Sequence, residues 1–375
     1  MKILGIESSC DETAAAVVEN GTRILSNVVV SQIDIFAEYG GVIPEVAARS
    51  HLEAILPVIH KALEDASCTW GDIDAIAVTH TPGLLGSLLI GTLTARTLAI
   101  LHNKPLYAVH HLKSHIYANW LSPSLSSAQR GGCCRALAAE PRKDGREDRG
   151  DEKKFGEATP NFPLIAIVIS GGHTQILYMP SHNKFDIIGT THDDAIGECF
   201  DKVAKILGLP YPGGPAIAKA AKAGDPHKYK FPHPKVDGLD FSFSGLKTAV
   251  LRAVQKELNL PISHPSYDLK NHLTAQQVSD FAASFQQTAI DILMEKLNLA
   301  LEQHSETKSV VFAGGVSAND ALRSQNNLSE SFFPPKHLSG DNGAMVAAAC
   351  FFEIQSGVQP ADPYHLDILP RSVIQ

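Results

Sequence analysis

The fold is decided by residues 2–18, whose sequence is KILGIESSCDETAAAVV. An apolar run, a turn of small and polar residues and a second apolar run follow one another there, a pattern that predicts two strands joined by a tight turn. The same arrangement returns at residues 162–178, whose sequence is FPLIAIVISGGHTQILY. Two copies of one strand–turn–strand unit, roughly half a chain apart, predict a duplicated domain.

Helices and strands are predicted to alternate along the rest of the chain. The pair Asn20-Gly21 favours a two-residue hairpin turn that leads into a strand at 23–30. Apolar residues at helical spacing predict helices at 46–62 and 276–304. Continuous apolar runs predict buried strands at 73–79 and 309–313. Such alternation favours a layered α/β fold.

The composition is that of a globular protein. The chain has 375 residues, of which 44% are hydrophobic and 19% charged, and this length allows two domains. A formal net charge of -8 argues against a protein that binds nucleic acid unaided, so RNA contact would need a local basic patch or a basic partner. The apolar stretch 84–100 contains two glycines, and we expect a buried helix there and no membrane span.

The cysteines and the N-terminus favour the cytoplasm. The six cysteines include no CxxC pair, and a disulfide framework is not expected in a chain of this size. The first residues run directly into a predicted strand, without the pattern of a signal or transit segment. We therefore expect a reducing compartment.

Three regions are expected along the chain: an N-terminal domain at 1–121, an insertion at 122–161 and a C-terminal domain at 162–375. Residues 122–160 hold eight Lys/Arg and seven Asp/Glu and few large apolar residues, so this segment cannot bury a core of its own. We interpret it as a charged, mobile surface insertion, in which the adjacent Cys133 and Cys134 are incidental.

Two histidines have the spacing of a metal site. If their segment is helical, His111 and His115 lie one turn apart on one face. Two ordinary helical histidines are the alternative. A zinc protease of the HExxH kind needs a glutamate directly after its first histidine, and Leu112 occupies that position.

Two glycine-rich segments are candidates for holding phosphate. The turn at 170–174, SGGHT, offers exposed backbone N–H groups unless it is a plain hairpin turn. The segment 311–319, VFAGGVSAN, runs from a strand into a predicted helix N-terminus, where a nucleotide binds readily. A routine loop capped by Ser317 or Asn319 is the alternative.

Two carboxylates have open roles at this point. Asp341 precedes an apolar helix and either caps it or completes the two-histidine site. Asp201 either forms a solvated ion pair with Lys202 or holds ribose hydroxyls beside a nucleotide cleft.

Together these segments resemble one known family, the threonylcarbamoyltransferases represented by the bacterial TsaD subunit. The resemblance covers nearly the whole chain apart from the predicted insertion. It rests on eight matches in the same order: 5–13, 41–45, 82–88, His111 with His115, 170–174, 240–248, 313–319 and Asp341 with Asn342.

The resemblance implies an actin-like ATPase (ribonuclease H-like) fold, with two duplicated domains around a central cleft. It also implies one divalent metal ion per chain, described in the family as iron with zinc as the alternative, held by His111, His115 and Asp341. The donor, threonylcarbamoyl-AMP, would lie along one set of residues: Val168, Ile169, Ser170, Gly171, Gly172, Asp201, Gly214 and Asn319. Glu12 is a candidate proton acceptor or substrate orienter.

The implied acceptor is N6 of the adenosine immediately 3′ of the anticodon, in tRNAs that read codons beginning with A. The implied partners are a paralogous actin-like subunit, TsaB, and a P-loop ATPase, TsaE. Three other functions compete with this one. A metalloprotease is disfavoured because the sequence lacks the glutamate that it needs after His111. An actin-like ATPase or sugar kinase would leave His111 and His115 unexplained. A scaffold without activity would leave both histidines, Asp341 and the two turns unexplained.

Overall fold

The computed structural model describes residues 1–123, 159–326, 328 and 330–371. Most of the segment interpreted as a charged insertion, including Cys133 and Cys134, lies outside the described residues. The boundaries at 121 and 162 therefore stay predictions.

The N-terminal half forms a six-stranded sheet. Its strands are β1 (Lys2–Glu7), β2 (Glu12–Glu19), β3 (Arg23–Ser31), β4 (Ala75–Thr81), β5 (Leu106–His110) and β6 (Ser122–Pro123). They lie in the order β5-β4-β1-β2-β3-β6, with β1, β2 and β3 antiparallel and with β4 and β5 parallel to β1. Asn20 and Gly21 have φ values of 52° and 71°, which confirms the predicted hairpin turn.

The C-terminal half repeats this arrangement in a five-stranded sheet. Its strands are β7 (Leu164–Ile169), β8 (Thr174–Ser181), β9 (Lys184–Thr190), β10 (Ser309–Ala313) and β11 (Ser331–Phe332). They lie in the order β11-β10-β7-β8-β9, again with three antiparallel strands followed by two parallel ones. Five strands of the first sheet match the five strands of the second in order and direction, and β6 has no counterpart. This correspondence confirms the predicted duplication and the actin-like α/β fold.

Eleven helices of the described residues cover and connect the sheets. They are α1 (Ile33–Tyr39), α2 (Pro44–Asp65), α3 (Leu85–His102), α4 (His111–Tyr117), α5 (Ile196–Leu207), α6 (Gly213–Ala221), α7 (Ser244–Glu257), α8 (Ala275–Gln303), α9 (Asp320–Gln325), α10 (Lys336–Ser339) and α11 (Gly343–Gln355). The helices predicted at 46–62 and 276–304 are thus confirmed as α2 and α8.

Helices α4 and α11 join the two halves. One buried cluster contains Ile3 of β1, Leu164 of β7 and Met345 of α11, so both sheets share this core. The approach of α11 to β1 is close, because a Cβ on Gly5 would lie 2.2 Å from the carbonyl oxygen of Gly343. The contact fixes the start of α11 beside the end of β1, where the candidate site lies.

Helix α3 is only partly buried, so the expectation of a buried helix at 84–100 was wrong for its outer face. Residues of the inner face, such as Leu88 and Ala95, are fully buried, whereas Leu85, Leu89 and Leu93 are 41–60% exposed. Among the described residues, α3 is the one helix whose length and apolar composition would allow it to cross a membrane. Its packed inner face is typical of a helix that lies on a protein core.

Candidate metal and nucleotide site

Three predicted metal ligands meet at one point between the two halves. His111 and His115 lie on α4, one turn apart, and Asp341 lies just before α11. The distance from Asp341 Oδ1 is 3.1 Å to His115 Nε2 and 3.6 Å to His111 Nε2. The three ligand atoms all lie within 4.8 Å of one another and are buried or nearly so. Two imidazoles and a carboxylate in this arrangement are suitable for one divalent transition metal.

Asp341 is available as a ligand because its neighbour caps the helix. Asn342 Oδ1 accepts a hydrogen bond of 3.0 Å from the backbone N–H of Met345. The Asn342 amide donates to the carbonyl oxygens of Leu338 and Gly340. The cap is therefore complete without Asp341, and the capping alternative for that carboxylate was wrong.

The nitrogens of His115 test whether the residues fit a metal. Both are buried, and neither has a hydrogen bond of ordinary geometry among the described residues, although Nε2 lies close to Asp341. A buried ring nitrogen without a hydrogen bond is costly unless another partner satisfies it. A metal ion at this point would satisfy Nε2, so the residues fit the implied group.

Glu7 positions His111 from the side opposite the proposed metal. Glu7 Oε2 lies 3.1 Å from His111 Nδ1 and accepts a hydrogen bond of 2.6 Å from Thr79 Oγ1. Its Oε1 accepts a hydrogen bond of 2.6 Å from the Ser9 N–H. A carboxylate acceptor at Nδ1 keeps a ring proton there, so Nε2 is the nitrogen that faces Asp341 and is available to a metal.

The charges at this centre stabilise one another. Burial alone would raise the pKa of Asp341, but His111 and His115 outweigh it and lower that pKa to about 2. Burial likewise opposes charge on His111, whereas Asp341 and Glu7 raise its pKa to about 9. Two carboxylates around buried imidazoles create a strong local preference for positive charge, which a cation would satisfy.

The first turn, at residues 8–11, is held by backbone and side-chain contacts. His51 of α2 is fully buried; its Nε2 donates to the Cys10 carbonyl at 2.9 Å, and its Nδ1 lies 2.7 Å from Thr13 Oγ1. Ser8 Oγ donates to the Ser87 carbonyl at 2.9 Å. The turn is thus fixed against α2 and α3, beside the metal ligands.

Glu12 follows this turn at the start of β2. Burial, the charge of Asp11 and the charge of Asp341 raise its carboxyl pKa well above 4.5, and Ser31 Oγ donates to it at 3.3 Å. A carboxyl group with a raised pKa is suited to proton transfer. Its catalytic role stays a prediction.

The second turn, at 170–173, is closed on itself but open on its outer side. The Ser170 N–H donates to the His173 carbonyl at 2.9 Å, and the His173 N–H donates to Ser170 Oγ at 3.1 Å. A Cβ on Gly171 or on Gly172 would meet no atom within 4 Å. A ligand can therefore approach the backbone of both glycines closely.

The two halves face each other across a cleft. One cavity of about 330 Å³ is lined by Pro82, Gly83, His173, Pro370 and Arg371, so it brings the second turn opposite the loop before α3. The charges of His111 and His115, together with burial as the largest effect, lower the pKa of His173 to about 4. The charges of the two histidine ligands therefore act on His173 of the second turn.

A second cavity, of about 250 Å³, lies further along the cleft. The N-terminal half contributes residues 37–40, and the C-terminal half contributes Asp201, Tyr211, Gly213 and Lys270, among others. Asp201 Oδ1 accepts a hydrogen bond of 2.6 Å from the Gly213 N–H. The alternative role for Asp201, an ion pair with Lys202, is not formed, since Lys202 binds Asp194 and Glu198 at 2.7 and 2.8 Å.

Two further predicted ligand contacts, Gly214 and Asn319, differ in whether their polar groups already have partners. A Cβ on Gly214 would meet no atom within 4 Å, so the backbone there is open. Asn319 caps α9 through hydrogen bonds from the Ala321 and Leu322 N–H groups, and its amide donates to Gln286 Oε1 at 2.8 Å. Asn319 therefore has the capping role that was its alternative, and contact with a nucleotide stays a prediction, as it does for the strand end Val168-Ile169.

Sequence reasoning missed the residues that support the site. The sequence pattern places Glu7 in a polar turn and gives no functional signal for His51 or Thr79. These residues reach their partners across 104, 38 and 72 positions of sequence. Local spacing has no signal for such contacts, and a buried acid at the end of a strand was the one available indication.

Comparison with known proteins gives a consistent result. Residues 23–146 and 152–348 match the model of the family TsaD, described as tRNA N6-adenosine threonylcarbamoyltransferase. A relative of that name from Symbiobacterium thermophilum is 45% identical over 95% of this chain and 93% of its own length. Another from Thermomicrobium roseum is 41% identical over 100% of this chain and 99% of its own length.

The matches to solved structures are more distant. The activator of the 2-hydroxyisocaproyl-CoA dehydratase from Clostridium difficile has 14% identity and a TM-score of 0.46, with 96% of this chain and 99% of that chain covered. The ROK hexokinase from Thermus thermophilus has 14% identity and a TM-score of 0.38, with 94% and 98% covered.

Proposed function

Because this chain belongs to the tRNA N6-adenosine threonylcarbamoyltransferase family, we propose that it transfers a threonylcarbamoyl group from threonylcarbamoyl-AMP to tRNA. The acceptor is N6 of the adenosine immediately 3′ of the anticodon, in tRNAs that read codons beginning with A. The products are threonylcarbamoyladenosine in the tRNA and free AMP. The observation that supports this proposal most strongly is the cluster of His111, His115 and Asp341 in a cleft beside an open glycine turn.

One divalent metal ion per chain is part of the proposal, with ferrous iron as the expected ion and zinc as the alternative. When bound, such an ion supplies Lewis acidity toward a carbonyl oxygen. The chain's own contribution is to hold the ligands in place. Glu7 keeps the proton of His111 on Nδ1, and Asn342 leaves Asp341 uncapped, so two imidazole nitrogens and a carboxylate oxygen face one point.

The donor is proposed to lie along the second turn, where the N–H groups of Gly171 and Gly172 and the hydroxyl of Ser170 are suited to an anionic phosphate. Val168 and Ile169 form the end of the adjoining strand. On the nucleoside side, the proposed contacts are Asp201, Gly214 and Asn319. In the reaction, a bond forms between N6 and the carbamoyl carbon, and the bond from that carbon to the AMP oxygen breaks.

The proton released from the N6 amine needs an acceptor. Glu12 is proposed to take it or to orient the amine, since its raised pKa makes it a better base than an ordinary carboxylate once it is ionised. Its position next to the first turn places it in the half of the molecule that faces the proposed donor site.

The proposed assembly includes the paralogous actin-like subunit TsaB and the P-loop ATPase TsaE, in the cytoplasm. Two observations support a protein partner. The formal net charge of -8 disfavours unaided tRNA binding. In addition, the packed pair α2 and α3 exposes Leu52, Leu56, Leu85 and Leu89 at 41–66%, and an apolar face of this kind is typical of an interaction surface.

The test is nucleoside mass analysis of tRNA. Unmodified tRNA is incubated with the purified protein, the two partner proteins and threonylcarbamoyl-AMP, and wild type is compared with His111→Ala. We expect threonylcarbamoyladenosine with wild type and at least about a hundredfold less with the variant, by analogy with the loss of metal affinity when ligand support is removed. Absence of product in both samples, with partners shown active beside another family member, would favour a scaffold instead.

A further inference from the structure

A second cluster of metal-ligating side chains lies outside the site described above, between α7 and α8. It consists of His264, Asp268 and His272. The distance from Asp268 Oδ2 is 2.8 Å to His264 Nε2 and 3.0 Å to His272 Nε2. All three ligand atoms lie within 4.8 Å of one another. Two imidazoles thus converge on a single carboxylate oxygen.

The backbone of this loop is held in place by consecutive turns. The Asp268 N–H donates to the Pro265 carbonyl, and the His272 N–H donates to the Leu269 carbonyl, at 3.2 and 3.0 Å. Leu269 is fully buried in the C-terminal core. The three ligand side chains therefore extend from a segment whose positions are set by the fold.

A buried amide fixes the other end of the loop. Gln255 of α7 is 2% exposed, and its Nε2 donates to the carbonyl oxygens of Ile262 and His264, both at 3.1 Å. His264 is therefore anchored through its own backbone to the helix before the loop. Because both histidines are anchored, little conformational freedom remains to be lost when a ligand binds between them.

The chemistry of these donors suits a zinc-like cation. Zinc takes imidazole nitrogens at about 2.0–2.1 Å and carboxylate oxygens at about 2.0–2.2 Å, in tetrahedral sites. Tetrahedral ligands at those bond lengths are roughly 3.3 Å apart, so the observed distances to Asp268 need to open by only a few tenths of an ångström. Each histidine must also move its hydrogen from Nε2 to Nδ1, which leaves the net charge of the ring unchanged.

The surroundings leave one side of the cluster open to water. The side chains of His264, Asp268 and His272 are 20%, 34% and 46% exposed. Three protein ligands with an open fourth position are compatible with a water molecule that completes the tetrahedron. Asp268 Oδ1 accepts a hydrogen bond of 2.9 Å from Asn271 Nδ2, which orients the carboxylate without using the oxygen that faces the two histidines.

We propose that His264, Asp268 and His272 form a second divalent-cation site, of the zinc class, which stabilises the loop between α7 and α8. The site is separate from the His111 cluster in sequence and in ligands. Lys270 lies inside this loop and lines the 250 Å³ cavity with Asp201 and Gly213. A bound cation would therefore fix the backbone of a residue at the edge of the proposed nucleoside side of the cleft.

The test is zinc stoichiometry on the full chain. Protein stripped with a chelator is titrated with Zn²⁺ against a chromophoric competitor, and wild type is compared with His272→Ala. We expect the variant to bind one Zn²⁺ per chain fewer than wild type, whatever the state of the His111 cluster. Asp268→Asn is expected to weaken the same site at least about tenfold. In a His111→Ala background, the zinc lost on adding His272→Ala should be the same single equivalent.

His233→Ala is the matched control. His233 pairs with Glu295 at 2.9 Å and is 45% exposed, which is close to His272, but it belongs to neither cluster of three ligands. Its removal should leave the zinc stoichiometry unchanged. Circular dichroism verifies that each variant is folded. In the His111→Ala background, Co²⁺ in place of Zn²⁺ should give the visible absorption of a tetrahedral complex, which His272→Ala should abolish and His233→Ala should keep.

Equal zinc stoichiometry and affinity in wild type and His272→Ala would overturn the proposal. The three residues would then be a hydrogen-bonded group that orders the loop without an ion. Because the readout is a difference at His272, failure of the proposed transferase activity would leave this result unaffected.

Discussion

Glu7 Oε2 lies 3.1 Å from His111 Nδ1, and this contact joins the first strand of the chain to the candidate metal centre. Glu7 is fully buried, and its two oxygens also accept hydrogen bonds from Thr79 and Ser9. A carboxylate that fixes the tautomer and orientation of a ligating histidine is a recurring support of metal sites. The strand that begins the fold therefore also determines which nitrogen of His111 faces the cleft.

Substitution of Glu7 should weaken metal binding. In Glu7→Gln the buried charge beside Nδ1 is lost, and the expected result is a fall of about 10–100-fold in affinity for Fe²⁺ or Zn²⁺ at the His111 cluster. The measurement is competition with a chromophoric chelator. Glu19→Gln, at the end of β2 and paired with Arg23, is the control and should bind the metal as wild type does. Unchanged affinity in Glu7→Gln would remove Glu7 from the support of the site.

Substitution of Glu12 should affect turnover more than donor binding. Glu12→Gln keeps the shape of the side chain but cannot accept a proton, so we expect kcat to fall by about 10²–10⁴-fold, the usual contribution of general acid–base catalysis. The dissociation constant for threonylcarbamoyl-AMP, measured by calorimetry, should change much less. If turnover is unchanged, Glu12 has no part in the mechanism.

The loop after β10 should tolerate a methyl group at Gly315 but not at Gly314. Gly314 has φ 86° and ψ 166°, and a Cβ there would lie 2.6 Å from the Ile169 carbonyl oxygen. Backbone strain and this clash together should lower the free energy of unfolding of Gly314→Ala by about 3 kcal/mol or more. At Gly315 a Cβ would meet nothing within 4 Å, so Gly315→Ala should change the free energy of unfolding by less than about 1 kcal/mol. Urea denaturation of both variants compares them directly, and equal destabilisation would contradict the close approach.

Ionisation of the buried Glu353 carboxyl should lower the free energy of unfolding as the pH rises. Burial raises the pKa of this carboxyl from 4.5 to about 7, with the charge of Lys113 in opposition. Between these two values the folded state holds a proton that the unfolded state has released, so folding becomes less favourable as the pH rises through this window. The loss is on the order of 3 kcal/mol, at about 1.4 kcal/mol for each pKa unit.

The check is urea denaturation of wild type and Glu353→Gln between pH 4.5 and pH 8, the window set by that pKa. The neutral amide removes the titration, so the variant should lose less stability than wild type over this range. The exposed Glu302, changed to glutamine, is the control and should keep the slope of wild type. Parallel curves for Glu353→Gln and wild type would show that this group does not titrate in the window.

Much of the fold could be predicted because its signals are local. Residues 2–18 and 162–178 each contain a whole strand–turn–strand unit, and the Asn20-Gly21 turn needs no distant contact to be recognised. The outer face of α3 was mistaken for core because an apolar helix has the same composition whether one face or all of it is covered. Leu89 is 41% exposed and Leu88 is fully buried, and only the packing separates them.

The sequence by itself determined the duplicated α/β pattern, the helical spacing of His111 and His115, and, through the family resemblance, the choice of Asp341 as third ligand. The tertiary structure decided what these residues face. It assigned the helix cap to Asn342 and so left Asp341 free, it brought Glu7 and Thr79 to His111 from other strands, and it made His51 a support of the first turn. The physical reason is range: strand and helix patterns arise from neighbours within a few residues, whereas a site is made by hydrogen bonds between groups that only folding brings together.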